Sequence, residues 1–140
     1  QSFHSDMQSI VFDSISVDAA CSVGIGVMEY RGVHTKTKKV LFHKGPFGGA
    51  SNNIGEFLAI VHAMAYMQKN GLNYPIYTDS QTAITWVKKK EIRTKIETSP
   101  QIADMLERAL IWLKDNKPEY IILKWRTDLW GEIYADFGRK

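Results

Sequence analysis

Several common ingredients are scarce or missing in this chain. Cys21 is its one cysteine, which excludes an internal disulfide framework and suits a reducing, cytoplasmic setting. No apolar run approaches the roughly 20 residues that a membrane-spanning helix requires, and residues 1–30 show no signal-peptide pattern, so no membrane partner is expected. Low-complexity tracts, internal repeats and Pro/Gly/Ser-rich linkers are also missing, so the expectation is one domain acting as a monomer. What is present is ordinary globular material: 140 residues, 44% apolar and 24% charged, with a net charge of only +3. That composition argues against a disordered or fibrous chain, and its net charge alone does not point to nucleic acid.

Charge of one sign is missing segment by segment. Residues 1–30 hold no Lys or Arg, yet they carry Asp6, Asp13, Asp18 and Glu29. Residues 30–55 hold no acid, and carry Arg31, Lys36, Lys38, Lys39 and Lys44. A second basic stretch, Lys88, Lys89, Lys90, Arg93 and Lys95, is diluted only by Glu91 and Glu97. Such patches suit a polyanion, although charge alone equally allows a solvated helix end and a solvated hairpin.

Residues 1–12 lack periodicity for most of their length and read as a frayed end or cut boundary. Ser14–Ala19 then alternates as a strand does, with Ile15 and Val17 on one face and Ser16 and Asp18 on the other. A second β-rich run over Ile25–Val33 and a third strand around Lys39–His43 complete an antiparallel meander, which Gly45–Gly49 ends. Ser51, Asn52 and Asn53 offer helix caps before a stripe of Ile54, Phe57, Leu58, Val61, Met64 and Ala65. Pro75–Asp79 reads as a short strand, Ser80 as the cap of a helix running through Val87, and 91–99 as a loop. A third helix follows Pro100, Glu119–Trp125 is a strand, and a short helix from about Leu129 to Gly138 closes the chain. The order βββαβααβα requires parallel pairing across each crossover beside an antiparallel start, hence a mixed sheet.

Four acids stand where such a fold brings side chains together: Asp18 near the end of the first strand, Asp79 at the end of the fourth, Glu56 in the first turn of the first long helix, and Asp136 near the C-terminus. Glu132 lies one helical turn before Asp136. Sites in open α/β sheets form beyond the carboxyl ends of strands. Clustered carboxylates repel one another unless cations neutralise them, and an all-oxygen set without His or Cys points to Mg²⁺ or Mn²⁺. Each acid also has a plainer explanation. Glu56 could complete a capping box with Asn53, Asp79 could cap a helix, and Glu132 with Asp136 could be a solvated helix face. The histidines at 4, 34, 43 and 62 show no ligand spacing.

The neighbours of these acids are more specific. Ser16–Val17–Asp18–Ala19–Ala20, Asn52–Asn53–Ile54–Gly55–Glu56, Tyr77–Thr78–Asp79–Ser80–Gln81 and Trp130–Gly131–Glu132–Ile133–Tyr134–Ala135–Asp136 resemble the four active-site blocks of ribonuclease H type 1, in order and spacing. The likeness runs from about residue 13 to 140, and Tyr77–Val87 and Ile122–Lys140 are most similar to the bacterial, Bacillus-type enzymes. It implies a ribonuclease H-like α/β fold, a mixed five-stranded sheet with its first three strands antiparallel, flanked by helices. It also implies a catalytic domain over 13–140 that hydrolyses the RNA strand of RNA–DNA hybrids with two Mg²⁺ ions (Mn²⁺ substituting), leaving 3′-hydroxyl and 5′-phosphate ends.

By the same resemblance Asp18 bridges both ions, Asp136 completes the site of the attacking water, and Glu56 and Asp79 complete the site at the leaving oxygen. Glu132 assists exchange of metal or product; relatives that use an outer His for this differ, since residues 124–132 contain none. Asn52, Asn53 and Gln81 correspond to minor-groove contacts, where 2′-hydroxyls distinguish RNA from DNA. Thr94 and Thr127, helped by Ser51 or Asn53, correspond to a grip on a DNA phosphate, and Trp86 to a surface for a DNA sugar, unless Trp86 is plain core. Relatives follow the first Asp with a Gly-Asn-Pro-Gly-type turn; here Cys21–Ser22–Val23–Gly24–Ile25–Gly26 stands instead, which keeps the metal ligands but replaces one groove-contacting Asn by Gly24. Two other readings share the superfold: a hybrid-binding module without catalysis, and a nuclease acting on DNA.

Overall fold

The structure is a computed structural model that describes residues 9–22, 26–94 and 97–138. The expectations for residues 1–8, for Val23–Gly24–Ile25 and for Lys95 lie outside these described residues. Five strands form one sheet: β1 (Ile15–Ser22), β2 (Val27–His34), β3 (Val40–Phe47), β4 (Ile76–Thr78) and β5 (Ile122–Lys124), in the spatial order β3-β2-β1-β4-β5. β1, β2 and β3 pair antiparallel, while β4 pairs parallel with both β1 and β5. The mixed sheet expected from the element order is therefore present.

The helices are α1 (Asn52–Asn70), α2 (Gln81–Lys89), α3 (Pro100–Asn116) and α4 (Thr127–Trp130). The first three pack their apolar stripes on one sheet face, joining Ile15, Val17, Met28 and Ile76 to Ile54, Phe57, Ile60, Trp86, Ile102 and Leu113 in one core. α1 approaches the sheet closely because residue 55 is glycine: a Cβ there would lie 2.7 Å from the Ala19 Cβ and 2.8 Å from the Met28 Cγ. None of the described helices is long and apolar enough to cross a membrane.

The other face is covered by the C-terminal segment, where Tyr77, Trp125 and Ile133 form a second buried cluster with Ile10, Trp130 and Tyr134 against it. The alternation of β1 is thus real but its outer face is not solvated, and Ser16 and Asp18 are buried like Ile15 and Val17. Of the expected loose end over 1–12, residues 9–12 are described and partly held: the Val11 amide donates to the Tyr77 hydroxyl at 2.8 Å.

Four boundaries differ from the sequence expectation. β1 continues past Ala19 to Ser22, because β2 pairs with it along its whole length. β3 continues past His43 to Phe47, carrying Pro46, which an outermost strand tolerates because one side of it needs no partner. β5 spans only Ile122–Lys124 rather than 119–125, since its sole neighbour β4 is itself three residues long. The closing helix over 129–138 does not form. α4 ends at Trp130, Gly131 follows at φ 76° and ψ −162°, outside helical geometry, and 131–138 runs as turns and irregular chain. Tertiary burial of Ile133 and Ala135 replaces helical hydrogen bonding there.

Candidate active site

β1 and β4 are adjacent and parallel, with Ser16 opposite Tyr77. Two residues further along, Asp18 lies in the middle of β1, which runs on to Ser22 and so does not end near Asp18 as expected, and Asp79 follows the last residue of β4. The helix that follows β3 brings Glu56 to the same place. One carboxylate oxygen from each of Asp18, Glu56 and Asp79 lies within 4.8 Å of the other two. Asp18 and Glu56 are 4% and 1% exposed, whereas Asp79 is half-buried.

The local caps remove two of the plainer explanations. α1 is capped by Ser51, whose hydroxyl accepts from the Ile54 amide at 3.3 Å, so Glu56 falls beyond the capping-box position. α2 is capped by Ser80, accepting from the Ala83 amide at 3.1 Å, so Asp79 precedes the cap. Glu56 instead points into the acid cluster, where the Thr78 hydroxyl donates to its Oε1 at 3.5 Å.

The surroundings of Glu56 oppose its negative charge. Burial, then a side-chain hydrogen bond with Asp18 and the charges of Asp18 and Asp79, hold the Glu56 carboxyl well above its ordinary value of 4.5; the Ala19 backbone amide pulls weakly the other way. A carboxylate paired with Arg or Lys is pushed down, whereas this upward shift comes first from burial and then from the neighbouring acids. Buried carboxylates in contact are a hard, all-oxygen donor set that fits Mg²⁺ or Mn²⁺. Asp18, Glu56 and Asp79 would hold such a cation directly.

A cavity of about 450 Å³ opens onto this cluster, and Asn52 and Asp136 also line it. Asp136 is half-buried and stands outside the group of three. Its Oδ2 accepts from the Gly138 amide at 2.9 Å. Glu132 lies exposed on the irregular chain before it, not one helical turn away as expected. Asn53, Gln81, Thr94 and Thr127 are exposed, Ser51 is half-buried, and none of the five lines the cavity. Trp86 is 6% exposed and packs edge-on against Phe57 at 6.2 Å between ring centroids. It is core, and nearly all of the indole is withheld from a sugar.

Sequence reasoning gave no site role to three residues near the cavity. Cys21 and Phe137 line it, and burial pushes the Cys21 thiol up, away from reactivity. Arg31 on β2 donates from Nε to the Ala135 carbonyl at 2.8 Å and from Nη2 to the Asp136 carbonyl at 2.6 Å. More than a hundred residues separate these partners, and only the β1–β2 register, which sets Arg31 opposite Asp18, could have signalled them.

No family model matches the chain. Among solved structures it is similar to an RNase H1 isolated from compost by a metagenomic approach, with a TM-score of 0.54 and 16% identity over 83% of this chain and 86% of that one. The same LC11 enzyme in complex with an RNA/DNA hybrid gives 0.53 and 16% over 81% and 85%. RNase H1 from the halophilic archaeon Halobacterium salinarum gives 0.52 and 18% over 82% and 86%. At these identities the likeness is one of fold, and the fold is ribonuclease H-like.

Proposed function

We propose that this chain is a metal-dependent endonuclease that hydrolyses the RNA strand of RNA–DNA hybrids, leaving 3′-hydroxyl and 5′-phosphate ends. The observation that carries the proposal is the convergence of Asp18, Glu56 and Asp79 within 4.8 Å at the mouth of a cavity that Asp136 also lines. The ribonuclease H-like fold supports it, as does the hybrid bound to one similar structure. The absence of His from 124–132 favours the Bacillus-type branch, and the single cysteine suits the cytoplasm.

In this reading the four acids hold two Mg²⁺ ions, with Mn²⁺ as substitute. Such ions, when bound, supply charge stabilisation on both sides of an in-line phosphodiester displacement. The chain's own part is to hold the carboxylates in place before substrate arrives: Asp18 is buried in the middle of β1, Asp79 directly follows β4, and Glu56 is buried on α1 beyond its first turn rather than in it. Glu132, which is exposed, assists exchange of metal or product in this reading. Asn52, Asn53 and Gln81 offer short polar groups to 2′-hydroxyls, while Ser51, Thr94 and Thr127 offer hydroxyls to a phosphate of the DNA strand. Trp86 contributes to the core rather than to this surface.

A cleavage assay on matched RNA–DNA, RNA–RNA and DNA–DNA duplexes, with and without Mg²⁺, tests the proposal. The expected result is cutting of the hybrid's RNA strand in Mg²⁺ alone. An intact hybrid, or a cut DNA duplex, rejects it.

A further inference from the structure

The segment carrying Asp136 has no regular secondary structure to aim its side chain. Ile133 and Ala135 anchor it by burial, and the Trp125 indole N–H donates to the Gly131 carbonyl at 2.8 Å. Arg31 grips the stretch that matters most. The Ala135 carbonyl belongs to the peptide plane before the Asp136 Cα, and the Asp136 carbonyl to the plane after it. Arg31 bonds both, at 2.8 and 2.6 Å, and its guanidinium lies 4.7 Å from the Phe137 ring centroid.

Two fixed flanking planes determine the direction of the Cα–Cβ bond between them. Only the two side-chain torsions of Asp136 then remain, and the bond from the Gly138 amide to Oδ2 restrains those. Because Arg31 also stands opposite Asp18 in the β1–β2 register, one residue references the fourth acid to the strand bearing the first. A planar fork with two divergent donors does this; an ammonium, being a point donor, cannot hold both planes.

We infer that Arg31 is the positioning residue of Asp136, aiming its carboxylate into the acid-lined cavity through the backbone on either side. This rests on the metal site proposed above. The test is a Mn²⁺ titration of the full chain followed by electron paramagnetic resonance, for wild type, Arg31→Gln, Arg31→Lys, Asp136→Asn and the Arg31→Gln/Asp136→Asn double variant. Arg31→Gln and Asp136→Asn should each weaken one of the two Mn²⁺ sites by about tenfold or more. The double variant should be no weaker than Asp136→Asn, and Arg31→Lys should recover part of the loss. Amide hydrogen exchange should rise across 133–138 in Arg31→Gln while β1 keeps its protection. Wild-type affinity in Arg31→Gln, additive losses in the double variant, or lost protection in β1 would each overturn the positioning role. A wild-type chain that takes up no Mn²⁺ overturns the metal reading itself, and this inference with it.

Discussion

At the scale of single residues, Glu56 is the acid whose environment is most at odds with its charge. Its folded form holds the proton more tightly than the unfolded chain, whose value lies near 4.5. The stability this contributes is present below that value and is lost as pH rises through the raised folded one. His62 works in the opposite sense: burial first, then Lys44, press it down to about 4, so its contribution is present above 6.5 and fades as pH falls. Comparing variants cancels the His62 effect. In metal-free buffer, Glu56→Gln should unfold higher than wild type, by on the order of 3–6 °C near neutral pH, with the gap shrinking towards pH 4. Saturating Mg²⁺ should raise the wild-type midpoint and leave the variant's nearly unchanged. Calorimetry across pH decides it, and a gap that widens on acidification would refute the like-charge account.

The element that places Glu56 is α1, and its distance from the sheet is set at Gly55. Gly55→Ala gains about 0.5–1 kcal/mol of helix preference but drives a methyl to 2.7 Å from Ala19 and 2.9 Å from the Met28 sulfur. Overpacking of this kind costs about 1–3 kcal/mol, so the net change should be destabilising. Urea unfolding measures it, and a more stable Gly55→Ala would show that the interface yields. Elements with local signals were legible in sequence: Ser51, Ser80 and Pro100 mark helix starts, and the stripe from Ile54 marks the buried face of α1. At the C-terminus the spacing of Glu132 and Asp136 looks helical, whereas Gly131 and burial of Ile133 against Trp125 and Tyr77 make the chain irregular there. Trp86 showed the same limit, since an aromatic on an amphipathic helix does not reveal whether its face meets core or ligand.

Across the whole molecule the net charge of +3 averages exposed cations with a buried acid cluster. Lys88, Lys89, Lys90 and Arg93 are exposed, and in the proposed function hybrid binding through such groups releases counterions and therefore weakens as salt rises. With Ca²⁺ in place of Mg²⁺, whose looser coordination should permit binding without turnover, affinity can be followed by fluorescence anisotropy on intact hybrid. Its logarithm should fall linearly with that of salt concentration, and Lys88→Gln or Lys89→Gln should each reduce the slope by up to about 0.9. Unchanged slopes would leave those lysines as a solvated helix end. The β2–β3 turn is less purely solvated, because the Lys38 ammonium lies 4.5 Å from the Tyr134 ring centroid and joins the hairpin to the C-terminal segment.

The sequence by itself determined the element order, hence a mixed sheet, and singled out the acids and the polar residues around them. These are local properties, carried by period, caps and blocks of adjacent residues. The tertiary structure decided which acids meet: Asp18, Glu56 and Asp79 are joined within 4.8 Å, with Asp136 on the same cavity wall. It also placed Trp86 in the core and Arg31 behind Asp136. Those outcomes depend on strand register, on the close approach of α1 at Gly55 and on packing between segments a hundred residues apart, and no local pattern encodes contacts over that separation.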